Sequence, residues 1–247
     1  MKLNVFPSKV AMGQAAADLT ARSLNTAIGE RGEAHLILAT GASQFEMLQS
    51  LVVQDVDWSK VTAFHLDEYI GLPLTHPASF RKYLHERFVA KLPALHVFHD
   101  IDGEADDPAA ECRRLGALIS KITVDVACIG IGENGHVAFN DPPADFDTDE
   151  PYIIVDLDEA CRRQQTGEGW FASVDDVPAR AISMSVREIM RAKRIVCTVP
   201  DARKAGAVRD ALEGDVTNAV PASILQRHPD CHLFADEPAV ALLRTRP

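Results

Sequence analysis

Missing from this chain are the marks of a membrane protein, a disulfide scaffold or a nucleic-acid binder. No run approaches the ~18 consecutive apolar residues that a membrane-spanning helix needs. The start, Met1-Lys2-Leu3-Asn4-Val5-Phe6-Pro7, lacks the long apolar stretch of a secretory signal. Cysteine is sparse and scattered: Cys112, Cys128, Cys161, Cys197 and Cys231 form no C-x-x-C pair and fit neither a zinc knuckle nor a disulfide framework. They read as reduced thiols packed as small core residues. Positive charge is in deficit, with 25 Lys+Arg against 36 Asp+Glu and a net charge of −11. Such a surface repels nucleic acid and anionic membranes, so any phosphate on a substrate must be met by a local site. No repeat and no Gly/Ser linker divides the 247 residues. The expectation is a single domain over 1–247, in the cytoplasm, with no nucleic-acid or membrane partner.

What is present is ordinary globular composition, 47% hydrophobic and 25% charged, enough for one sizeable core without staples. The apolar spacing predicts a helix over 12–31 and a buried strand over 35–39. Thr40-Gly41-Ala42-Ser43 follows, with Ser43 as N-cap of a helix over 44–53. A second strand over 61–66 runs into Asp67-Glu68-Tyr69. Helices follow over 79–88 and 108–121, then strands over 124–129, 181–184 and 194–199, with helices beginning near Val186 and Asp201. Short apolar strands alternating with amphipathic helices predict an α/β fold, a Rossmann-like and mainly parallel sheet with helices on both faces. In such sheets ligands lie outside the carboxyl ends of the strands, where three polar motifs of this chain fall.

Gly41, Ala42 and Ser43 open a helix after a strand, a place where free backbone N–H groups and the helix dipole suit a phosphate. The same residues also suit a plain strand-to-helix turn capped by Ser43. Asp67 and Glu68 are adjacent carboxylates at a strand end, so one can face a cleft as a general base while the other is tied to structure. A solvated acidic turn is the bland alternative. His65 alternates with Asp67 and would share its face on one unbroken strand, which opens a metal reading without an obvious third ligand. Gly130-Ile131-Gly132-Glu133-Asn134-Gly135-His136 permits a tight loop ending in a histidine, and Asp141 lies within reach if the segment curls back. The bland reading there is a glycine-rich hairpin with an incidental histidine. Asp145-x-Asp147-x-Asp149 starts like a calcium loop, but Glu150 stands where that loop requires glycine, so 141–159 reads as a solvated acidic flap.

Taken in order, these motifs resemble the glucosamine-6-phosphate deaminase (isomerase) family, within the superfamily shared with 6-phosphogluconolactonases. The resemblance runs from Leu36 to about Leu242. It is most specific in Leu66-Asp67-Glu68-Tyr69-Ile70-Gly71-Leu72 with His76-Pro77-x-Ser79-Phe80, and in Gly130-x-Gly132-x-Asn134-Gly135-His136-x-x-Phe139-Asn140. It implies conversion of an aminosugar 6-phosphate and water to a ketose 6-phosphate and ammonia, with no cofactor and no metal. Asp67 matches the base that moves a proton between C2 and C1, and His136 the acid/base that opens the sugar ring. Asp141 stands where many members have the Glu that orients this histidine, and Asn134 where members have Asp or Asn. Gly41, Ala42 and Ser43 match the phosphate turn and Lys204 the phosphate lysine, with Glu68 supporting from behind. Gly169 replaces a phosphate-contacting arginine, for which Arg162 or Arg163 are candidate substitutes. The resemblance leaves open a sugar-phosphate lactonase or a decayed sugar-phosphate-binding regulator, the sugar epimer, and whether the chain is a monomer or a homo-oligomer.

Overall fold

Segments such as Ala34-His35-Leu36-Ile37-Leu38 and Val126-Ala127-Cys128-Ile129 are buried at every position, which only a sheet covered on both faces provides. The computed structural model, which describes residues 1–244, has that architecture. Its strands are β1 (Lys2–Phe6), β2 (Ala34–Leu38), β3 (Val61–His65), β4 (Asp67–Tyr69), β5 (Val97–His99), β6 (Val126–Ile129), β7 (Tyr152–Asp156), β8 (Arg180–Met184), β9 (Arg194–Val199) and β10 (Cys231–Asp236). Its α-helices are α1 (Lys9–Arg31), α2 (Phe45–Leu51), α3 (Phe80–Arg87), α4 (Pro108–Ile119), α5 (Glu159–Gly167), α6 (Val186–Ile189) and α7 (Ala205–Glu213). Seven strands form one sheet in the order β1-β10-β9-β6-β2-β3-β5, every neighbouring pair parallel.

Strand periodicity sorts the core into two layers. Leu36, Leu38, Val126, Cys128 and Val196 pack under α1 and α2, against Met12, Ala16, Leu24, Met47 and Leu48. Ile37, Ala127, Ile129, Ile195 and Cys197 face the other side, against Leu115 and Ile119 of α4 and Val208 and Ala211 of α7. The alanine-rich inner face of α1 lets α2 approach closely: a Cβ on Gly13 would lie 2.5 Å from the Cβ of Glu46. Ser8 caps α1 by accepting from the Ala11 N–H at 3.2 Å, and Gly32 ends it at φ +82°.

Two expectations are corrected. The strand over 61–66 does not run on into Asp67; it ends at His65, and the chain enters a separate antiparallel sheet in the order β4-β8-β7. Leu66 is the joint. Its N–H donates to the Leu38 carbonyl of the main sheet at 3.1 Å, and its carbonyl accepts from the Met184 N–H of β8 at 2.8 Å. Residues 181–184 therefore belong to the small sheet. The acidic flap over 141–159 is not wholly solvated, because β7 lies within it and buries Tyr152, whose hydroxyl donates to the His65 carbonyl at 2.8 Å. Strands β1, β5, β7 and β10 and helix α5 carry no pattern that the sequence reading picked out.

The topology fixes the crevice. From β2 the chain builds outward through β3 to β5, then returns through α4 to lay β6 on the other side of β2. The segments after β2 and β6 diverge at this reversal, which is where an open α/β sheet leaves room for a ligand.

Candidate active site

A cleft at that reversal is lined by Thr40, Gly41, Ala42, Ser43, Asp67, Gly132, His136 and Lys204, among others, and holds about 520 Å³ of space, partly open to solvent. All three sequence motifs thus converge, with Lys204 from a fourth segment.

The phosphate-type corner is built by two similar turns. After β2, Gly41 takes φ +89°, which only glycine adopts without strain, and leads into a 3-10 turn, Ala42–Gln44. The expected Ser43 cap is not made: the helix behind starts from Gln44 without a side-chain cap, and Ser43 sits inside the 3-10 turn. Its hydroxyl and the N–H groups of Ala42 and Ser43 have no hydrogen-bond partner among the described residues. The turn itself is held rigid. The Tyr83 hydroxyl donates to the Gly41 carbonyl at 3.0 Å, the Thr198 hydroxyl to the Ser43 carbonyl at 3.2 Å, and the Gln44 side-chain amide to the Ile129 carbonyl at 3.1 Å. After β9, Asp201 takes φ +85° and a second 3-10 turn, Ala202–Lys204, delivers Lys204. Lys204 is buried, no carboxylate lies within ion-pair distance of its ammonium among the described residues, and burial draws its pKa below the usual lysine value. A buried cation and N–H donors without partners among the described residues, lining one cleft, suit an anion.

Asp67 and Glu68 are both buried on β4 and face opposite ways. Glu68 accepts from the N–H groups of Tyr69 at 2.8 Å, Phe80 at 3.2 Å and Arg81 at 2.6 Å, and from the Ser79 hydroxyl at 3.0 Å. It latches β4 to the start of α3, and burial pushes it up to about 7 against those donors. Asp67 lines the cleft, and its carboxyl has no hydrogen-bond partner among the described residues. Burial, reinforced by the Glu68 charge, pushes it up to about 8. His65 does not share its setting. It ends the main sheet, buried, with Nδ1 3.5 Å from the Ile101 N–H, so the proposed His65–Asp67 metal pair is not formed among the described residues.

The glycine loop curls as its composition allows. Gly132 N–H donates to the His136 carbonyl at 2.9 Å and Gly135 N–H to Gly132 at 3.0 Å. The imidazole lies directly against Gly132, where any Cβ would collide with the ring. His136 Nδ1 stands 3.1 Å from Asp141 Oδ1, although the ring is turned out of line for a straight hydrogen bond. Asn134 Nδ2 donates to the same oxygen at 3.1 Å and its Oδ1 accepts from the His136 N–H at 3.1 Å, while the Asp158 N–H holds the other Asp141 oxygen at 3.1 Å. Burial would raise the Asp141 pKa; His136, Asn134 and the Asp158 N–H outweigh it and hold the carboxyl below its usual range.

Neither candidate arginine reaches the cleft. Arg162 donates to the carbonyls of Val174 at 2.7 Å and Val177 at 3.1 Å, and Arg163 pairs with Glu159 on the surface at 2.5 Å. Helix α5 instead contributes Gln164 and Gln165, and its C-cap Glu168, none of which the sequence reading singled out. The Glu168 carboxylate accepts from Gln164 at 2.9 Å and from the Trp170 indole at 3.2 Å. Their i, i+1, i+4 spacing on one helix was the available signal.

A sequence model of the family described as glucosamine-6-phosphate isomerases/6-phosphogluconolactonase matches residues 7–233. A curated glucosamine-6-phosphate deaminase of Lactobacillus delbrueckii subsp. bulgaricus is 37% identical over 246 residues, 99% of this chain and 100% of that protein. One from Oenococcus oeni is 33% identical over 98% of this chain and 99% of its own length. Among solved structures, a monomeric glucosamine-6-phosphate deaminase superposes with a TM-score of 0.88 at 32% identity, covering 98% of this chain and 100% of that one. A 6-phosphogluconolactonase from Shewanella baltica, at 20% identity and a TM-score of 0.79 over 96% of this chain and 97% of its own, shares the fold.

Proposed function

Because this chain belongs to the glucosamine-6-phosphate isomerase/6-phosphogluconolactonase family, we propose that the cleft converts glucosamine 6-phosphate and water to fructose 6-phosphate and ammonia. The observation that carries this reading is the Asp67 carboxyl, buried, without a hydrogen-bond partner among the described residues and lining the same cleft as Lys204 and the Gly41 turn. The phosphate sits on the Ala42 and Ser43 N–H groups and the Lys204 ammonium, which leaves the sugar carbons reaching toward β4. His136, steadied by Asp141 and Asn134, takes the proton of the anomeric hydroxyl and returns one to the ring oxygen, so the sugar opens. Asp67 then removes the C2 proton and delivers it to C1 through an enolamine; the two oxygens of one carboxylate reach both carbons. The resulting C2 iminium takes up water, and ammonia leaves.

Burial suits Asp67 to this shuttle, since a group titrating near 8 both accepts and returns a proton in neutral solution. None of these steps calls for a redox group or an organic cofactor. A cytoplasmic setting is supported by five buried cysteines without disulfides, and no helix among the described residues is long and apolar enough to cross a membrane.

The test is Asp67→Asn, which keeps the shape and removes the base. Ammonia release and exchange of the C2 hydrogen with deuterated solvent should fall together by ~10²–10⁴-fold, while KM changes little. In the unaltered enzyme kcat/KM should rise with pH toward about 8 as Asp67 ionises. Near-normal C2 exchange in Asp67→Asn removes Asp67 from the role, and acidification of a lactone without ammonia release replaces the reaction with lactone hydrolysis.

A further inference from the structure

Cys161 has no part in the proposed reaction, yet it stands beside it. All five cysteines lie in apolar clusters, Cys128, Cys197 and Cys231 on strands, Cys112 on the outer helix α4 and Cys161 beside Tyr69 and Phe139, but only Cys161 also has a histidine and a carboxylate of the candidate site within reach. Cys161 lies in the first turn of α5, fully buried, with its N–H held by Asp158. One ligand atom each from His136, Asp141 and Cys161 lie within 4.8 Å of one another, and no other such group of three occurs among the described residues. His136 is only 8% exposed, and its Nδ1 is buried without an aligned partner. A second groove runs behind the loop and is lined by Asp141, Asp145, Asp156 and Asp158. Carboxylates gathered in a groove raise the local concentration of cations.

We propose that His136 Nδ1, an Asp141 oxygen and Cys161 Sγ form an inhibitory site for a borderline-soft divalent cation, zinc before the others. An imidazole nitrogen, a carboxylate oxygen and a thiolate are a zinc donor set, whereas magnesium and calcium take oxygen ligands. Zinc bonds of ~2.0–2.3 Å put tetrahedral ligands roughly 3.3–3.8 Å apart, so the triangle must contract by about an ångström, within reach of side-chain rotation. As the ion enters, the Cys161 thiol releases its proton to solvent, and a water completes the fourth position. The Nδ1 lone pair is then occupied and Asp141 is drawn to the metal, so His136 is no longer steadied for ring opening.

The site is tested by titrating the protein, freed of metal by chelation, with Co²⁺ as the spectroscopic stand-in for zinc. The expected result is one equivalent bound, a thiolate-to-cobalt charge-transfer band, tetrahedral d–d absorption, and displacement by zinc. Cys161→Ser and Cys161→Ala should both lose the charge-transfer band and bind zinc at least about tenfold more weakly. Zinc inhibition, scored as a fraction of each variant's own metal-free rate, should weaken in step. His136→Asn, which leaves the thiol untouched, should also lose the single tight equivalent. Absence of the band in the unaltered protein, or zinc binding of unchanged strength in the Cys161 variants, overturns the proposal. The cobalt titration needs no turnover, so its outcome is independent of the assigned reaction.

Discussion

Asp67 and Glu68 are neighbours in sequence and both are buried, but among the described residues only the Glu68 carboxylate finds hydrogen-bond donors. An unpartnered buried carboxyl destabilises the fold whenever it ionises, and this gives Asp67 a signature apart from catalysis. Its folded pKa, about 8, lies above the value of 3.8 expected for a free side chain. At pH below 3.8 the group is protonated in both states and makes no difference. Between 3.8 and about 8 only the folded state holds the proton, so stability falls as pH rises through that window and levels off above it. Asp67→Asn lacks this loss. Its Tm should match the parent near pH 4 and exceed it increasingly up to pH 8, by the equivalent of up to ~5 kcal/mol. Thermal unfolding of both proteins across that range checks it; a constant difference would mean that Asp67 is not desolvated.

At the scale of elements, the short strand β4 is placed by its neighbours. It pairs with β8 on one side, and Glu68 ties it to the first turn of α3, where Ser79 also caps the helix by accepting from the Lys82 N–H at 3.1 Å. The helix N-terminus supplies donors that would otherwise be unsatisfied, and a carboxylate meets them better than a neutral acceptor. Glu68→Gln should therefore lower stability by ~1–3 kcal/mol through lost charge-assisted bonds. It should also reduce kcat, but by less than Asp67→Asn, because the proposed base, Asp67, remains and only its placement loosens. Parallel measurement of Tm and kcat separates the two; a rate loss as deep as that of Asp67→Asn with unchanged Tm would make Glu68 the base.

At the scale of the whole molecule, the proposed anion corner is assembled from distant parts of the chain. The Gly41 turn follows β2, Lys204 follows β9, and β6 with its glycine loop lies between them in the sheet. A phosphate bound there spans the sheet's reversal and stabilises the folded state by mass action. Saturation with inorganic phosphate at roughly 100 times its dissociation constant should add about 2.7 kcal/mol, seen as a higher Tm. Lys204→Ala should lose most of that shift and raise KM for the sugar phosphate by about tenfold or more, with a smaller change in kcat. An undiminished phosphate shift in the variant would place the anion elsewhere.

The parallel sheet, its two helical layers and the three strand-end motifs were legible in the sequence because each rests on local pattern. Fully apolar strands demand two covered faces, and glycines mark the turns that need them. Residues such as Asp67 and His136 stood out for the same reason, each following a strand with a distinct chemical type, whereas Lys204 was named only through the family resemblance. The small antiparallel sheet was not legible, since β4 reaches it only by pairing with β8 far along the chain, Asp67 with Ser183, and β7 lies in a segment that reads as an acidic flap. The inward turn of Asp67 against the outward latch of Glu68 came only from the family resemblance, because adjacent residues on any strand face opposite ways and only the position of α3 decides which side is the cleft. Arg162 and Arg163 show the same limit: a guanidinium near a phosphate motif is a candidate by type, but the packing of α5 turns one to backbone carbonyls and the other to solvent. Local sequence determined which groups stand at the strand ends; the pairing of strands far apart in the chain decided which of them meet.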